Sequence, residues 1–219
     1  MVFLREVIYL FKKELMLEWR QKYAISGILL YVSATIFIVY MAAPRVTPAN
    51  WNVLFWIIAL FAAVNAVLKS FVHEGGNRQL YFYQLASPLS VIVAKIAYNF
   101  LLLLFILLLS FTLFSFFTEN PVKENGLFFI ILLLASLGFS LIFTFISAIS
   151  GKTGSNATLL AILGFPVVIP TLSVLIKLSA NALRLMTDTT YNKDLIILVC
   201  MDLILVVVVS ILFPYLWRD

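Results

Sequence analysis

The sequence predicts an all-α membrane protein that crosses the bilayer about six times and begins with an amphipathic helix. Of its 219 residues, 63% are hydrophobic and only 11% are charged, whereas a soluble domain keeps about a quarter of its residues charged. The apolar residues form long runs, and the basic residues gather at their edges, where Lys and Arg anchor spans. The net charge of +5 therefore points to a membrane and not to nucleic acid.

The first predicted element is an interfacial helix over residues 1–23, which are too charged to span. One helical face carries apolar residues at three- and four-residue steps: Leu4, Ile8, Phe11, Leu15 and Trp19. The other side carries basic residues: Arg5, Lys12, Lys13 and Arg20. This pattern is typical of a helix in the cytoplasmic headgroup layer, either as a simple anchor or as a brace for a cytoplasmic partner. The scattered charges argue against a cleavable signal peptide.

Residues 24–219 form the predicted membrane domain, because six runs are long enough to cross about 30 Å of hydrocarbon. The predicted spans are residues 25–41, 51–71, 90–117, 127–150, 157–178 and 195–217. Lys and Arg are more frequent in the segments that face the cytoplasm if the N-terminus lies inside. Both termini and residues 73–88 are therefore predicted to be cytoplasmic.

The fifth predicted span is unusual because Pro166 and Pro170 interrupt its apolar run. Each proline removes a backbone hydrogen bond and bends a helix. We expect a bent helix, either as a packed kink or as a bend that shapes a pathway or hinge. Residues 179–193 then form the longest outer segment, with a short outer helix as one alternative.

Asp202 is a carboxylate within the sixth predicted span, and such a residue is a functional hypothesis by default. We expect it to face the helix bundle, either protonated or paired. Lys95, Asn99 and Asn65 are its candidate partners because each lies in or near another span. A structural contact between helices is the preferred interpretation.

Three features invite a chemical interpretation that the sequence does not support. The segment GKTGS at 151–155 lacks the first glycine of a phosphate-binding loop, since Ile146 occupies that position. His73 is the only histidine, and one imidazole makes a weak haem or metal site. Cys200 is the only cysteine and cannot form an intrachain disulfide. With no catalytic constellation either, the chain is predicted not to be an enzyme and not to bind a cofactor itself.

Residues 73–88, HEGGNRQLYFYQLASP, form a polar insert between the second and third predicted spans. A Gly-Gly break lets the chain turn, and Pro88 stops the insert before the next span. This insert, behind an interfacial helix, resembles the cytoplasmic loop of type 2 ABC exporter membrane subunits. The resemblance implies that the insert docks on an ATP-binding subunit through Glu74, Arg78, Tyr81, Phe82 and Leu85.

The whole chain resembles the CcmB family, haem exporter protein B of the system I cytochrome c maturation pathway. The resemblance rests on LEWRQKYA before the first span, NWNVLFWIIALFAAVNAV in the second and LGFPVVIPTL in the fifth. It implies a bacterial inner-membrane subunit that works with an ATP-binding CcmA-type subunit, CcmC and CcmD. The complex would hydrolyse ATP, handle haem and release haem-loaded CcmE. The alternatives are a permease for a drug, lipid or polysaccharide and a non-transporting membrane scaffold.

Overall fold

The computed structural model describes residues 2–20, 22–43, 45–67, 87–152, 157–186 and 191–218. These ranges contain seven helices and no strand, which confirms the all-α prediction. The helices are α1 (Val2–Arg20), α2 (Lys22–Ala42), α3 (Pro48–Val67), α4 (Pro88–Thr118), α5 (Asn125–Lys152), α6 (Ala157–Ala182) and α7 (Tyr191–Arg218). The fold is therefore one helix of mixed polarity followed by six apolar helices.

Five of these helices contain a stretch long and apolar enough to cross a membrane. The stretches are Pro48–Val67, Pro88–Thr118, Asn125–Ser150, Gly164–Ala182 and Tyr191–Leu216. The first predicted span corresponds to α2, whose apolar part, Ser26–Ala42, is shorter. The described helices thus define a multi-pass membrane protein with roughly the predicted number of spans.

An aromatic core joins α3, α4 and α5. The rings of Trp51 and Phe55 lie parallel with centroids 5.4 Å apart, and Phe114 stacks on Trp51 at 5.1 Å. Phe111 and Phe128 bring α4 and α5 to a ring separation of 4.8 Å. Such ring pairs contribute about 0.5–1.5 kcal/mol each beyond the area that they bury. They fix the end of the bundle where α3 and α5 begin and α4 ends.

Buried hydrogen bonds tie α3 to the second half of α6. The indole Nε1 of Trp56 donates to the hydroxyl of Ser179 at 2.7 Å, and that hydroxyl lies 2.6 Å from Asn52 Oδ1. The amide of Asn52 donates in turn to the carbonyl of Ile176 at 2.9 Å. The Ser179 hydroxyl also lies 2.7 Å from the carbonyl of Leu175 in its own helix, whereas the Trp56 indole and the Asn52 amide reach across to α6 for their partners. The second half of α6 is therefore firmly anchored.

Replacing Ser179 with Ala is expected to lower the free energy of unfolding by about 1 kcal/mol. The change removes the acceptor of Trp56 and the hydroxyl beside Asn52, both of which are buried. Unfolding of the detergent-solubilised protein, followed by tryptophan fluorescence, measures the loss. Ser210→Ala is the matched control, since Ser210 is exposed and donates to a carbonyl of its own helix. Equal stabilities for the two variants would contradict this role of the network.

Pro166 and Pro170 lie inside α6, which continues through both of them. The helix is therefore not interrupted at either proline. Proline still lacks an N–H group, so two helical hydrogen bonds are missing in this part of α6. Neighbouring helices support the segment, because Val168 and Thr171 are buried on either side of Pro170. A bend at this position remains a prediction.

Both ends of the predicted outer segment 179–193 belong to the helices beside it. Residues 179–182 complete α6, and residues 191–193 begin α7. The carbonyl of Ala182 accepts hydrogen bonds from the backbone N–H groups of Lys123 and Glu124, at 3.1 and 3.0 Å. The described part of this segment contains no separate outer helix.

At the opposite end of the bundle, Gly151 and Lys152 belong to the last turn of α5. The rest of the GKTGS segment lies outside the described residues.

Candidate functional site

The candidate site lies where the predicted coupling insert enters the membrane, at the start of α4. Ser87 is the N-cap of α4, and Pro88 follows as the first helical residue. The Ser87 hydroxyl accepts the backbone N–H of Ser90 at 3.3 Å. A serine cap followed by proline is a favoured helix start, since proline has no N–H to satisfy there. These two residues are the last of the insert 73–88.

The carboxylate of Glu6 binds this helix start from α1. Its Oε2 atom accepts hydrogen bonds from the Ser90 hydroxyl at 2.7 Å and the Ser87 hydroxyl at 3.3 Å. The backbone N–H of Ser87 also donates to it at 3.4 Å. A carboxylate is well placed here because the first turn of a helix presents unpaired N–H groups and a positive partial charge. Glu6 therefore completes the cap of α4 from another helix.

These hydrogen bonds change the acidity of the Glu6 side chain. The Ser90 hydroxyl and the backbone N–H of Ser87 stabilise the carboxylate and lower the pKa of Glu6 below its ordinary value. Partial burial acts in the opposite direction, and the Ser87 hydroxyl adds to the lowering. The junction between α1 and α4 is thus built for an ionised Glu6.

The docking of α1 is expected to depend on pH through Glu6. A lowered pKa means that this stabilisation is fully present above the ordinary glutamate pKa of 4.5 and is lost as the pH falls through the lower folded value. Hydrogen–deuterium exchange of residues 2–20, corrected for the intrinsic effect of pH, measures the loss of protection. Glu6→Gln should remove this acid step, whereas Glu124→Gln, at an exposed position, should keep it. An unchanged step in Glu6→Gln would exclude Glu6 as its source.

A second contact joins α1 to α4 about two turns further along both helices. The ammonium group of Lys95 lies 3.3 Å from Glu14 Oε1, and Lys95 is only 1% exposed. Lys13 approaches the same carboxylate oxygen at 3.4 Å. Lys95, one of the three candidate partners of Asp202, therefore pairs with Glu14 instead. The apolar pattern did not fix the rotation of α1, so it did not reveal that Glu14 reaches Lys95.

The other two candidate partners of Asp202 also bond elsewhere. Asn99 donates to the Thr144 hydroxyl of α5 at 2.8 Å, and Asn65 donates to the carbonyl of Phe61 in its own helix at 2.9 Å. Asp202 itself is 3% exposed, so it faces the bundle. Neither of its carboxylate oxygens has a hydrogen-bond partner among the described residues. None of the three candidate partners thus forms a hydrogen bond with Asp202.

The exposed side of α1 agrees with an interfacial helix. Leu4, Ile8 and Leu15 are each more than half exposed, while Glu6 and Glu14 point towards α4. The apolar side is therefore free to meet lipid, and the acidic residues hold the helix to the bundle. Sequence reasoning missed these two acidic residues. The sequence did contain a signal for them, because Lys95 lies well inside an apolar span and a charge in that position needs a partner.

Several predicted residues lie outside the described part of the chain. They are His73, Glu74, Arg78, Tyr81, Phe82 and Leu85. Cys200 is described, and it is exposed on α7. In the described ranges, no three His, Cys, Asp or Glu side chains converge into a group that could hold a metal ion. The described part of the site consists of hydrogen-bonding and ion-pairing groups that join helices.

The fold and this junction define a class of protein: a multi-pass helical membrane subunit whose N-terminal helix is docked on the start of a central span. A family model described as CcmB protein matches residues 5–216, and the chain belongs to the CcmB family. This family supplies membrane permease subunits of haem-exporter ABC transporters in cytochrome c maturation. No curated protein and no solved structure matches the chain.

Proposed function

We propose that this chain couples ATP hydrolysis by a CcmA-type subunit to haem handling and to the release of haem-loaded CcmE. Family membership supports the general role. The observation that carries the coupling is the junction at Ser87, where residues 73–88 end and both α1 and α4 are engaged. A movement of the insert at its ATP-binding partner reaches two membrane elements through this one residue.

The contacts suggest how the movement is transmitted. Glu6 clamps the first turn of α4, and the Glu14–Lys95 pair repeats the attachment further along. α1 and the beginning of α4 therefore move together, because two polar contacts oppose their separation. The 31 residues of α4 extend this unit across the membrane. ATP binding would shift the population between two arrangements of the bundle.

The remaining parts of the proposal concern location and partners. The junction places α1 beside the end of the insert, in agreement with an N-terminus on the cytoplasmic side of the bacterial inner membrane. Six is an even number of spans, so the C-terminus returns to the same side of the membrane. CcmC and CcmD complete the proposed complex, with ATP bound by the CcmA-type partner and haem handled by the assembly. Residues 73–88 serve as the coupling segment, through Glu74, Arg78, Tyr81, Phe82 and Leu85.

The function is tested by staining membranes for covalently bound haem in a strain that lacks the gene. We expect the c-type cytochromes to disappear while the b-type haem remains, and the wild-type gene to restore them. Normal c-type cytochromes would refute the role in maturation. A permease for another substrate, or a scaffold, would then explain the fold.

Charge reversal at Arg78 is expected to weaken binding of the ATP-binding subunit by about tenfold or more, because charged and aromatic side chains dominate such interfaces. Truncation of Tyr81 and Phe82 to Ala should have a similar effect. Co-purification of the two subunits from solubilised membranes measures the binding. Arg184→Glu is the control, since Arg184 lies with exposed Glu124 at the other end of the bundle. Full retention of the ATP-binding subunit by all variants would favour a scaffold.

A further inference from the structure

A buried polar group that the coupling proposal does not use lies among α5, α6 and α7. Asp202 of α7 faces Gly138 of α5 so closely that a Cβ atom added to this glycine would lie 2.7 Å from Asp202 Oδ1. The same point lies 3.6 Å from the Cγ2 methyl of Thr171 in α6. Three helices therefore meet at one small surface, and the absence of a side chain at Gly138 makes room for the carboxyl group.

Two polar side chains at this surface lack partners. Neither oxygen of Asp202 has a hydrogen bond within the described residues, and neither has the Thr171 hydroxyl. The exposed fractions are 3% for Asp202 and 1% for Thr171. Native proteins rarely leave buried polar groups unsatisfied, and an explanation is needed where they do. Here the two unsatisfied groups occur together, which points to a shared function.

A rotation of the Thr171 side chain would bring its hydroxyl group to the Asp202 carboxyl group. The Thr171 methyl faces the Gly138 surface, and a rotation of about 120° about χ1 brings the hydroxyl to the position that the methyl now occupies. The hydroxyl would then point to the region that the Asp202 carboxyl occupies. A carboxylic acid has one O–H to donate, and a threonine hydroxyl can both accept and donate. The pair can therefore satisfy itself when Asp202 carries a proton.

Other charged groups on the neighbouring helices are engaged elsewhere. On α4, Lys95 pairs with Glu14, and on α6, Lys177 pairs with Asp194 at 2.9 Å. Tyr98 of α4 is the other titratable residue whose side chain is described on the three helices packed against α7; Lys152, at the end of α5, has no described side chain. None of these groups forms a hydrogen bond or an ion pair with Asp202 in the described part of the chain. An ionised Asp202 in this packing would be an uncompensated buried charge, which is very costly.

We propose that Asp202 is a proton-binding site within the membrane, with Thr171 as its hydrogen-bond partner, and that proton binding controls how α7 packs on Gly138. The carboxylate takes one proton from the aqueous phase, forms one O–H bond and becomes neutral, and release reverses both changes. The neutral acid fits the close contact with Gly138. The ionised form requires water or a new donor, so α7 must shift to admit it. This site does not depend on the proposed function.

The position of Thr171 links the site to the bend predicted in α6. Thr171 directly follows Pro170, where the helix already lacks a backbone hydrogen bond. Beyond this point the helix is anchored through Ser179 to Asn52 and Trp56. A change at Asp202 therefore acts at the boundary between the anchored half of α6 and the half that precedes the prolines.

Infrared spectroscopy of the full-length protein in lipid nanodiscs tests the proposal. The C=O stretch of a protonated carboxylic acid should appear as a band that titrates with pH and shifts in D₂O. We expect Asp202→Asn to abolish this band and Asp194→Asn to retain it. Thr171→Val should shift its frequency and leave it titratable. A band unaffected by Asp202→Asn, or a spectrum without such a band, would overturn the proposal, and an unaltered band in Thr171→Val would exclude Thr171 as the partner.

The native Cys200 offers a second readout, since it is exposed two residues before Asp202. A nitroxide label on Cys200 should report a change in mobility that follows the same titration as the infrared band. Asp202→Asn should make the label insensitive to pH. A titration at several sodium and potassium concentrations separates proton from metal cation, because displacement of the band by either ion at constant pH would identify a cation site instead. Label mobility that is independent of pH in the wild-type protein would contradict control of packing.

Discussion

Replacing Glu14 with Lys is expected to detach α1 from α4 and to lower the free energy of unfolding by about 3–5 kcal/mol. The substitution removes a carboxylate that lies 3.3 Å from the ammonium group of Lys95 and 3.4 Å from that of Lys13, and it puts a third positive charge in its place. Lys95 is 1% exposed, so water cannot screen the repulsion as it does at a surface. The substitution therefore acts directly on the buried charge of Lys95.

Unfolding in mixed micelles and hydrogen–deuterium exchange of residues 2–20 measure the two parts of this effect. The double variant Glu14→Lys with Lys95→Glu restores an opposite-charge pair and should recover a large part of the loss. Glu124→Lys is the control, because its partner Arg184 is 69% exposed in its side chain and a surface pair contributes about 0–1 kcal/mol. If the two single variants lose the same stability, the buried pair is not the cause.

The second large effect is expected at Gly138. Its replacement by Ala should lower the free energy of unfolding by about 1–3 kcal/mol, the usual cost of overpacking a filled core. The new Cβ would lie 2.7 Å from Asp202 Oδ1, a distance that real contacts do not reach. Asp202 is short and buried, so α5 and α7 must move apart to relieve the clash.

Gly126→Ala is the matched control in the same helix, because no atom lies within 4 Å of the added Cβ. There the higher helix propensity of Ala should leave stability unchanged or raise it by up to about 1 kcal/mol. Combining Gly138→Ala with Asp202→Ala removes the clashing carboxyl group, so the pair should cost less than the sum of the two changes. Strict additivity would show that the two residues do not touch.

The length and apolarity of the helices could be predicted from the sequence. A run of about 20 apolar residues must satisfy its backbone internally in lipid, and only a helix can do so. The interfacial helix followed equally from its three- and four-residue repeat. These patterns depend on the chain and its solvent alone, which explains why α1 and the apolar helices that follow it were predictable.

The contacts between helices could not be predicted in the same way. Every span carries apolar residues on all sides, so hydrophobic periodicity does not reveal which side faces a neighbour. Lys95 was one of three candidate partners of Asp202, but the rotation of α1 and α4 brings it to Glu14. Gly138 carries no side chain and leaves no pattern, although it determines where Asp202 lies. The two prolines of α6 do not interrupt the helix, in agreement with the need of a backbone in lipid to satisfy its hydrogen bonds within the protein.

The distance along the chain between Glu14 and Lys95, 81 residues, has a consequence for biogenesis. At a synthesis rate of about 5–20 residues per second, Lys95 is made roughly 4–16 s after Glu14. α1 and the two helices that follow it therefore leave the ribosome before either carboxylate clamp can close. During this interval the nascent N-terminus can rely only on the lipid surface that its apolar side contacts. α1 is thus synthesised early but docks late, because its junction with α4 is completed only when α4 enters the membrane.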